Sequence, residues 1–75
     1  MMNNIVFVDG DDWFGVYIND KLEDEGHSIS SKNLIELMFK HQPIESFEYK
    51  YADGDWLYEV GRMPKDLKMV RFEDE

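Results

Sequence analysis

Ile5-Val6-Phe7-Val8-Asp9-Gly10-Asp11-Asp12-Trp13-Phe14-Gly15-Val16-Tyr17-Ile18 decides the fold. Ile5 to Val8 is an unbroken apolar run rich in β-branched residues, the signature of a strand covered on both faces. Asp9-Gly10-Asp11-Asp12 stops it and reads as a turn. From Trp13 to Ile18 the side chains alternate. Phe14, Val16 and Ile18 point one way, and Trp13 and Tyr17 the other, with Gly15 between them marking a bulge or close packing. Two strands joined by four turn residues form an antiparallel pair, because a parallel one needs a crossover of a dozen residues or more.

Working outward, Asn19-Asp20-Lys21 predicts a second hairpin turn, since Asn and Asp tolerate the left-handed backbone. Leu22 to Glu25 is then a short return strand whose charge protects an open sheet edge. Gly26-His27-Ser28 interrupts the pattern. Ser30 is a good helix N-cap, with Ile29 and Leu34 placed for a hydrophobic staple. Leu34, Leu37, Met38 and His41 recur at helical spacing, Ile35 and Phe39 widen that face, and Pro43 ends the helix begun at Ser31. Ser46 to Tyr51 alternates cleanly, with Phe47, Tyr49 and Tyr51 on one face and Glu48 and Lys50 on the other. Asp53 or Asp55 caps a two-turn helix that runs through Val60, buries Trp56, Leu57 and Val60, and stops at Gly61. Lys68 to Phe72 alternates again and reads as a last strand, followed by an acidic tail, Glu73-Asp74-Glu75. The expectation is one small α+β domain over residues 1–75. Its order is β-β-β-α-β-α-β, with a mostly antiparallel sheet and one or two helices packed on one face.

Charge is the strongest functional signal. Seventeen acidic residues stand against eight basic ones, for a formal net charge of -9. Up to Ser31 the balance is seven acids to one lysine. Such a field repels nucleic acid and anionic membrane and favours a cationic partner. With no cysteine in the chain, neither a disulfide nor a thiolate metal site can form, which fits a reducing cytoplasm. The N-terminus lacks the basic segment of a signal peptide, and no stretch reaches the ~20 apolar residues of a membrane span.

Several motifs invite a chemical reading. Asp9-Gly10-Asp11-Asp12 after an apolar strand resembles the phosphatase-type Asp-x-Asp loop that holds magnesium, but such loops sit on large parallel sheets that this chain has no room for. Asp53-Gly54-Asp55-Trp56 echoes it. Neither copy is a calcium loop, because the fifth position is Trp13 in one and Leu57 in the other. Two histidines, His27 and His41, are too few for structural zinc. Ser28 beside His27 is adjacency in sequence, which is not triad geometry, and His41 suits a helix C-terminus. These readings assign no catalytic residue, metal or cofactor.

Glu23-Asp24-Glu25 is the sharper possibility. Strict alternation would set Glu23 and Glu25 on one side, roughly 7 Å apart at about 3.4 Å per residue, close to the phosphate spacing of a DNA strand. Asp9, Asp11, Asp12 and Asp20 would flank them. Eleven aromatic residues are more than a core this small easily hides. Trp13 and Tyr17, on the strand beside the acids, are the expected exposed anchors of an interface.

The expected partner-binding set is therefore Asp9, Asp11, Asp12, Trp13, Tyr17, Asp20, Glu23, Asp24 and Glu25. The expected function is a non-enzymatic, cytoplasmic inhibitor or modulator that docks on a basic, nucleic-acid-binding protein by charge steering and aromatic anchoring. In general character the chain is similar to small acidic phage-encoded inhibitors of host nucleases, polymerases or defence systems, some of which mimic DNA. That similarity implies a host-cytoplasmic setting and carries over no residue. Two other classes compete: a homo-oligomeric subunit whose exposed aromatics pair with copies of itself, and a magnesium-dependent enzyme built on Asp9, Asp11 and Asp12.

Overall fold

A computed structural model describes residues 2–73. Four strands, β1 (Asn3–Asp9), β2 (Phe14–Ile18), β3 (Lys21–Gly26) and β4 (Ile44–Tyr51), form one sheet in the order β3-β2-β1-β4. The two hairpins pair antiparallel, whereas β4 lies parallel to β1. The α+β class and the element order through the second helix follow the sequence reading, in a sheet that is mixed. The crossover from β3 to β4 is helix α1 (Ser31–Lys40).

Local chemistry accounts for each boundary. Asn19 and Asp20, at φ of 51° and 70°, form the two-residue turn between Ile18 and Lys21, the backbone twist that matches two antiparallel strands. Ser30 caps α1 by accepting from the Asn33 N–H at 3.1 Å. Asp53 caps α2 (Gly54–Val60), and Gly61 ends it in the left-handed conformation at φ 78°.

Because β1 is apolar on both sides, the sheet is covered on both sides. Ile5, Phe7, Val16 and Ile18 pack beneath α1, meeting Ile29, Leu34, Leu37 and Met38. Val6, Val8 and Tyr17 lie on the opposite face beneath Leu57 of α2 and the closing segment's Met63 and Val70. The helices do not share a face: α1 alone covers one, and α2 takes the other.

Three further expectations change. Lys68 to Phe72 is not a strand. Asp66 caps a single 3₁₀ turn, Leu67–Met69, whose local hydrogen bonds satisfy the backbone, and only Phe72 pairs with the sheet, opposite Ala52. Val60 is exposed, since fully buried Met63 fills the space behind α2. Ile35 and Phe39 do not widen the buried face of α1; they are 54% and 72% exposed. Of the expected acidic tail, Asp74 and Glu75 lie outside the described residues. No described helix is long and apolar enough to cross a membrane.

Candidate functional site

The two Asp-Gly-Asp segments meet. β1 and β4 run parallel, so the turns that follow them emerge at the same end of the sheet. Gly10 is the contact point. A Cβ there would lie 2.1 Å from Leu57 Cδ2 and 2.5 Å from the Trp13 carbonyl oxygen, so only glycine lets α2 approach the first turn this closely.

Within this acidic end the carboxylates divide into two kinds. Asp9 is turned to the backbone: it accepts from the Asp11 N–H at 2.9 Å and from the Tyr49 hydroxyl. That bond raises the Tyr49 phenol to about 12, with burial and the Asp9 charge adding to it. Asp53 likewise serves the N–H groups of Asp55 and Trp56 as the α2 cap, at 3.0 and 3.2 Å. Asp11, Asp12 and Asp55 are exposed, and among the described residues no lysine or arginine forms an ion pair with them. Asp11 holds φ 72°, a left-handed conformation that Asp tolerates.

Between this turn and α2 runs an open groove of about 440 Å³ lined by Asp11, Asp12, Trp13, His27, Leu57 and Tyr58 among others. Trp13 meets His27 edge-on at 4.9 Å, and His27 Nδ1 lies 3.2 Å from the Asp12 carbonyl oxygen. Tyr58, on the rim, is 90% exposed. Sequence reading missed Tyr58 because it treated α2 only as a core helix.

The remaining predicted site residues scatter. Tyr17 is fully buried, and its hydroxyl donates to the Pro64 carbonyl at 2.6 Å. Burial, with Glu25 and Asp66 nearby, pushes its phenol well above the ordinary value. It is a core residue and offers no surface to a partner. Trp13 is half-buried, its indole N–H donating to Glu25 Oε1 at 2.9 Å. Asp20 sits in the β2–β3 turn, at the far end of the sheet from Asp11 and Asp12.

The carboxylate row on β3 does not form. Val16 pairs with Asp24 and Tyr17 with Leu22, so Glu23 is an extra residue, a bulge that breaks the alternation. Glu23 consequently turns toward α1, its carboxylate 3.8 Å from His41 Nε2. Glu25 turns to the opposite face. There it also accepts from the Met63 N–H at 3.2 Å and pairs with Arg62 at 3.1 Å. Burial alone would raise the Glu25 carboxyl; the bonds from Trp13, Met63 and Arg62, with the Arg62 charge, outweigh it and hold it below the usual range. Glu25 is a structural tie. Asp24 joins Glu23 in a shallow groove against Asn33, Glu36 and Lys40 of α1.

Among the described residues no group of three His, Cys, Asp or Glu side chains is arranged to hold a metal ion. No family model matches the chain, and neither does any curated protein or solved structure.

Proposed function

We propose that this chain is a small, non-enzymatic binding domain that docks on a basic protein surface through the acidic end of its sheet. One observation carries the reading: the acidic turn Asp11-Asp12 and the start of α2 at Gly54, some forty residues apart in sequence, converge on a groove with Trp13 and Tyr58 in its walls. Exposed Asp11, Asp12 and Asp55 supply long-range attraction, which raises the association rate. Tyr58 and the exposed edge of Trp13 supply apolar area that slows dissociation once water is expelled. The target is a cationic surface such as the cleft of a nucleic-acid-binding protein, and the role is to inhibit or modulate it by occupying that cleft. Charge and aromatic anchors support this reading. A phosphate-spaced row on β3 does not, because Glu23 and Glu25 face opposite ways.

The test is capture of partners from lysate on the immobilised protein and on an Asp11→Lys/Asp12→Lys variant. A basic protein should be retained at low salt, lost above about 0.5 M salt where the Debye length is only a few ångströms, and absent from the variant. Both substitutions lie on an exposed turn, and unchanged circular dichroism confirms that the variant folds. Equal retention by the two proteins, or retention indifferent to salt, refutes the reading.

A further inference from the structure

We infer that two copies of this chain associate through β4, whose exposed edges pair antiparallel about a two-fold axis at Tyr49. β4 ends the sheet order. The Tyr51 carbonyl points away from β1, since it accepts from the Glu73 N–H at 2.9 Å. Strand geometry alternates, so the backbone groups of Tyr49 and Phe47 point outward as well, and no described residue pairs with them. Above this edge the sheet is bare. Phe47, Tyr49 and Tyr51 are 42%, 51% and 57% exposed. Asn33, Glu36 and Lys40 place one flank of α1 over β3. Ile35 and Phe39 lie on the other flank, beside the aromatic row.

The occupant is read from self-complementarity. A two-fold axis at Tyr49 sets Tyr49 against itself, Phe47 against Tyr51, and Glu48 against Lys50 twice. The neighbouring registers lose this match. An axis at Glu48 opposes two like charges, and one at Phe47 leaves Lys50 opposite Ile44 and Glu48 opposite Ser46. Antiparallel pairing also sends the two acidic ends in opposite directions, so a chain of net charge -9 meets its copy over Phe47–Tyr51, where Glu48 and Lys50 balance and Glu45 lies outside the paired span. At ~200 Å² per aromatic ring, the exposed fractions of Phe39, Phe47, Tyr49 and Tyr51 with Ile35 set a ceiling of about 500 Å² per copy, or about 1,000 Å² for the pair, the size of a weak, concentration-dependent interface. Pairing is confined to Phe47–Tyr51, because Phe72 bridges Ala52 and the Arg71 carbonyl takes the Asp53 N–H; within that span the partner strand takes the position that Glu73 holds against Tyr51, so deleting residues 73–75 should tighten association.

Sedimentation velocity over a concentration series tests this. The intact chain should approach twice its monomer mass as concentration rises, and the chain lacking residues 73–75 should do so at lower concentration. Glu48→Lys and Lys50→Glu should each remain monomeric, because each places like charges across the axis, and should associate when mixed with one another. The mixing result is specific to the Tyr49 register; Lys50→Glu also gives up the contact of Lys50 Nζ with the Phe72 ring at 4.8 Å, so unchanged circular dichroism is required of each variant. An intact chain that stays monomeric at every concentration, or single variants that self-associate as well as the intact chain, would overturn the inference.

Discussion

The two edges of the sheet are built on opposite plans. At β3 the strand carries a bulge at Glu23, three successive acids, and a cover of chain: Leu22 N–H donates to the Lys65 carbonyl, Lys21 bridges to Asp66, and Glu25 reaches Met63 and Arg62. At β4 the backbone is regular from Ser46 onward, the upper face is aromatic, and cover reaches only Tyr51 and Ala52. Bulges, charge and cover are the devices by which proteins stop edges from pairing. Their concentration on one edge teaches that the chain's acidity is partly architectural. Glu25 and Asp66 are spent closing β3. Asp66 is held below its usual range first by the Lys21 hydrogen bond. Asp11, Asp12 and Asp55 are not committed in that way.

The largest effect that tests this contrast comes from making one substitution at both edges. Glu25→Ala leaves the Trp13 indole N–H and the Met63 N–H without their acceptor, and should cost about 2–4 kcal/mol in urea unfolding. Glu48→Ala removes only an exposed pairing with Lys50 at 3.8 Å and should cost less than about 0.5 kcal/mol. Equal costs would erase the distinction between a closed edge and an open one. The same pair has a pH signature. The Glu25 carboxyl is depressed in the folded state, so its contribution is complete above the unfolded carboxylate value of about 4.3 and is lost as pH falls through the lower folded value. The stability gap between the intact protein and Glu25→Gln should hold steady from pH 7 to about 5 and shrink in stronger acid. A gap that widened on acidification would mean that the carboxylate is not the stabilising form.

A middle-sized effect concerns the cover itself. Beside β3, Gly15 admits Met63: a Cβ at this position would lie 2.8 Å from Met63 Cγ and 3.3 Å from Sδ. Gly15→Ala should therefore cost about 1–3 kcal/mol through overpacking. A Gly15→Ala/Met63→Ala pair should show favourable coupling, because the smaller side chain relieves the clash while its own lost burial remains. Strict additivity would indicate that Met63 does not hold the cover against β2.

What was legible follows from how local the signal is. The apolar run of β1, the Ser30 and Asp53 caps, the Gly61 stop and the Asn19-Asp20 turn each depend on neighbours in sequence, and each forms where the residues predict. The β3 register was not legible. Leu22 is the only apolar residue between Lys21 and Gly26, so no hydrophobic alternation fixes which acid faces where, and one bulge reverses the parity of everything beyond it. The Tyr17 burial was hidden for a related reason. Its cover, Met63 and Pro64, comes from an aperiodic segment 46 residues later. On the candidate groove, Asp11, Asp12 and Trp13 were visible as neighbours in sequence, while Tyr58 reaches them only through the parallel pairing of β4 with β1. Eleven aromatic residues do leave exposed rings, on β4, on α1 and at Tyr58 of α2, whereas Tyr17 is buried and Trp13 only half-exposed.

The smallest effect refines the closed edge at its turn. Asn19 and Asp20 both hold positive φ, at 51° and 70°. Asn is well suited to the first position of such a turn, and its side chain accepts from the Asn4 N–H at 2.9 Å. Asp20 contributes differently: its carbonyl accepts from the Leu67 N–H at 2.8 Å, so the turn's tie to the cover is a backbone one. Replacing Asp20 by glycine keeps that bond, removes the left-handed strain of a side-chain-bearing residue and relieves one negative charge. Against this stands the greater freedom that glycine gives the unfolded chain. The balance should favour the variant by about 0.5 kcal/mol, a rise of about 2–4 °C in melting temperature for a chain of this length. Binding to a cationic partner should be unchanged, because Asp20 lies at the far end of the sheet from Asp11 and Asp12. A variant that lost partner binding while gaining stability would move the functional charge from the acidic turns to this hairpin.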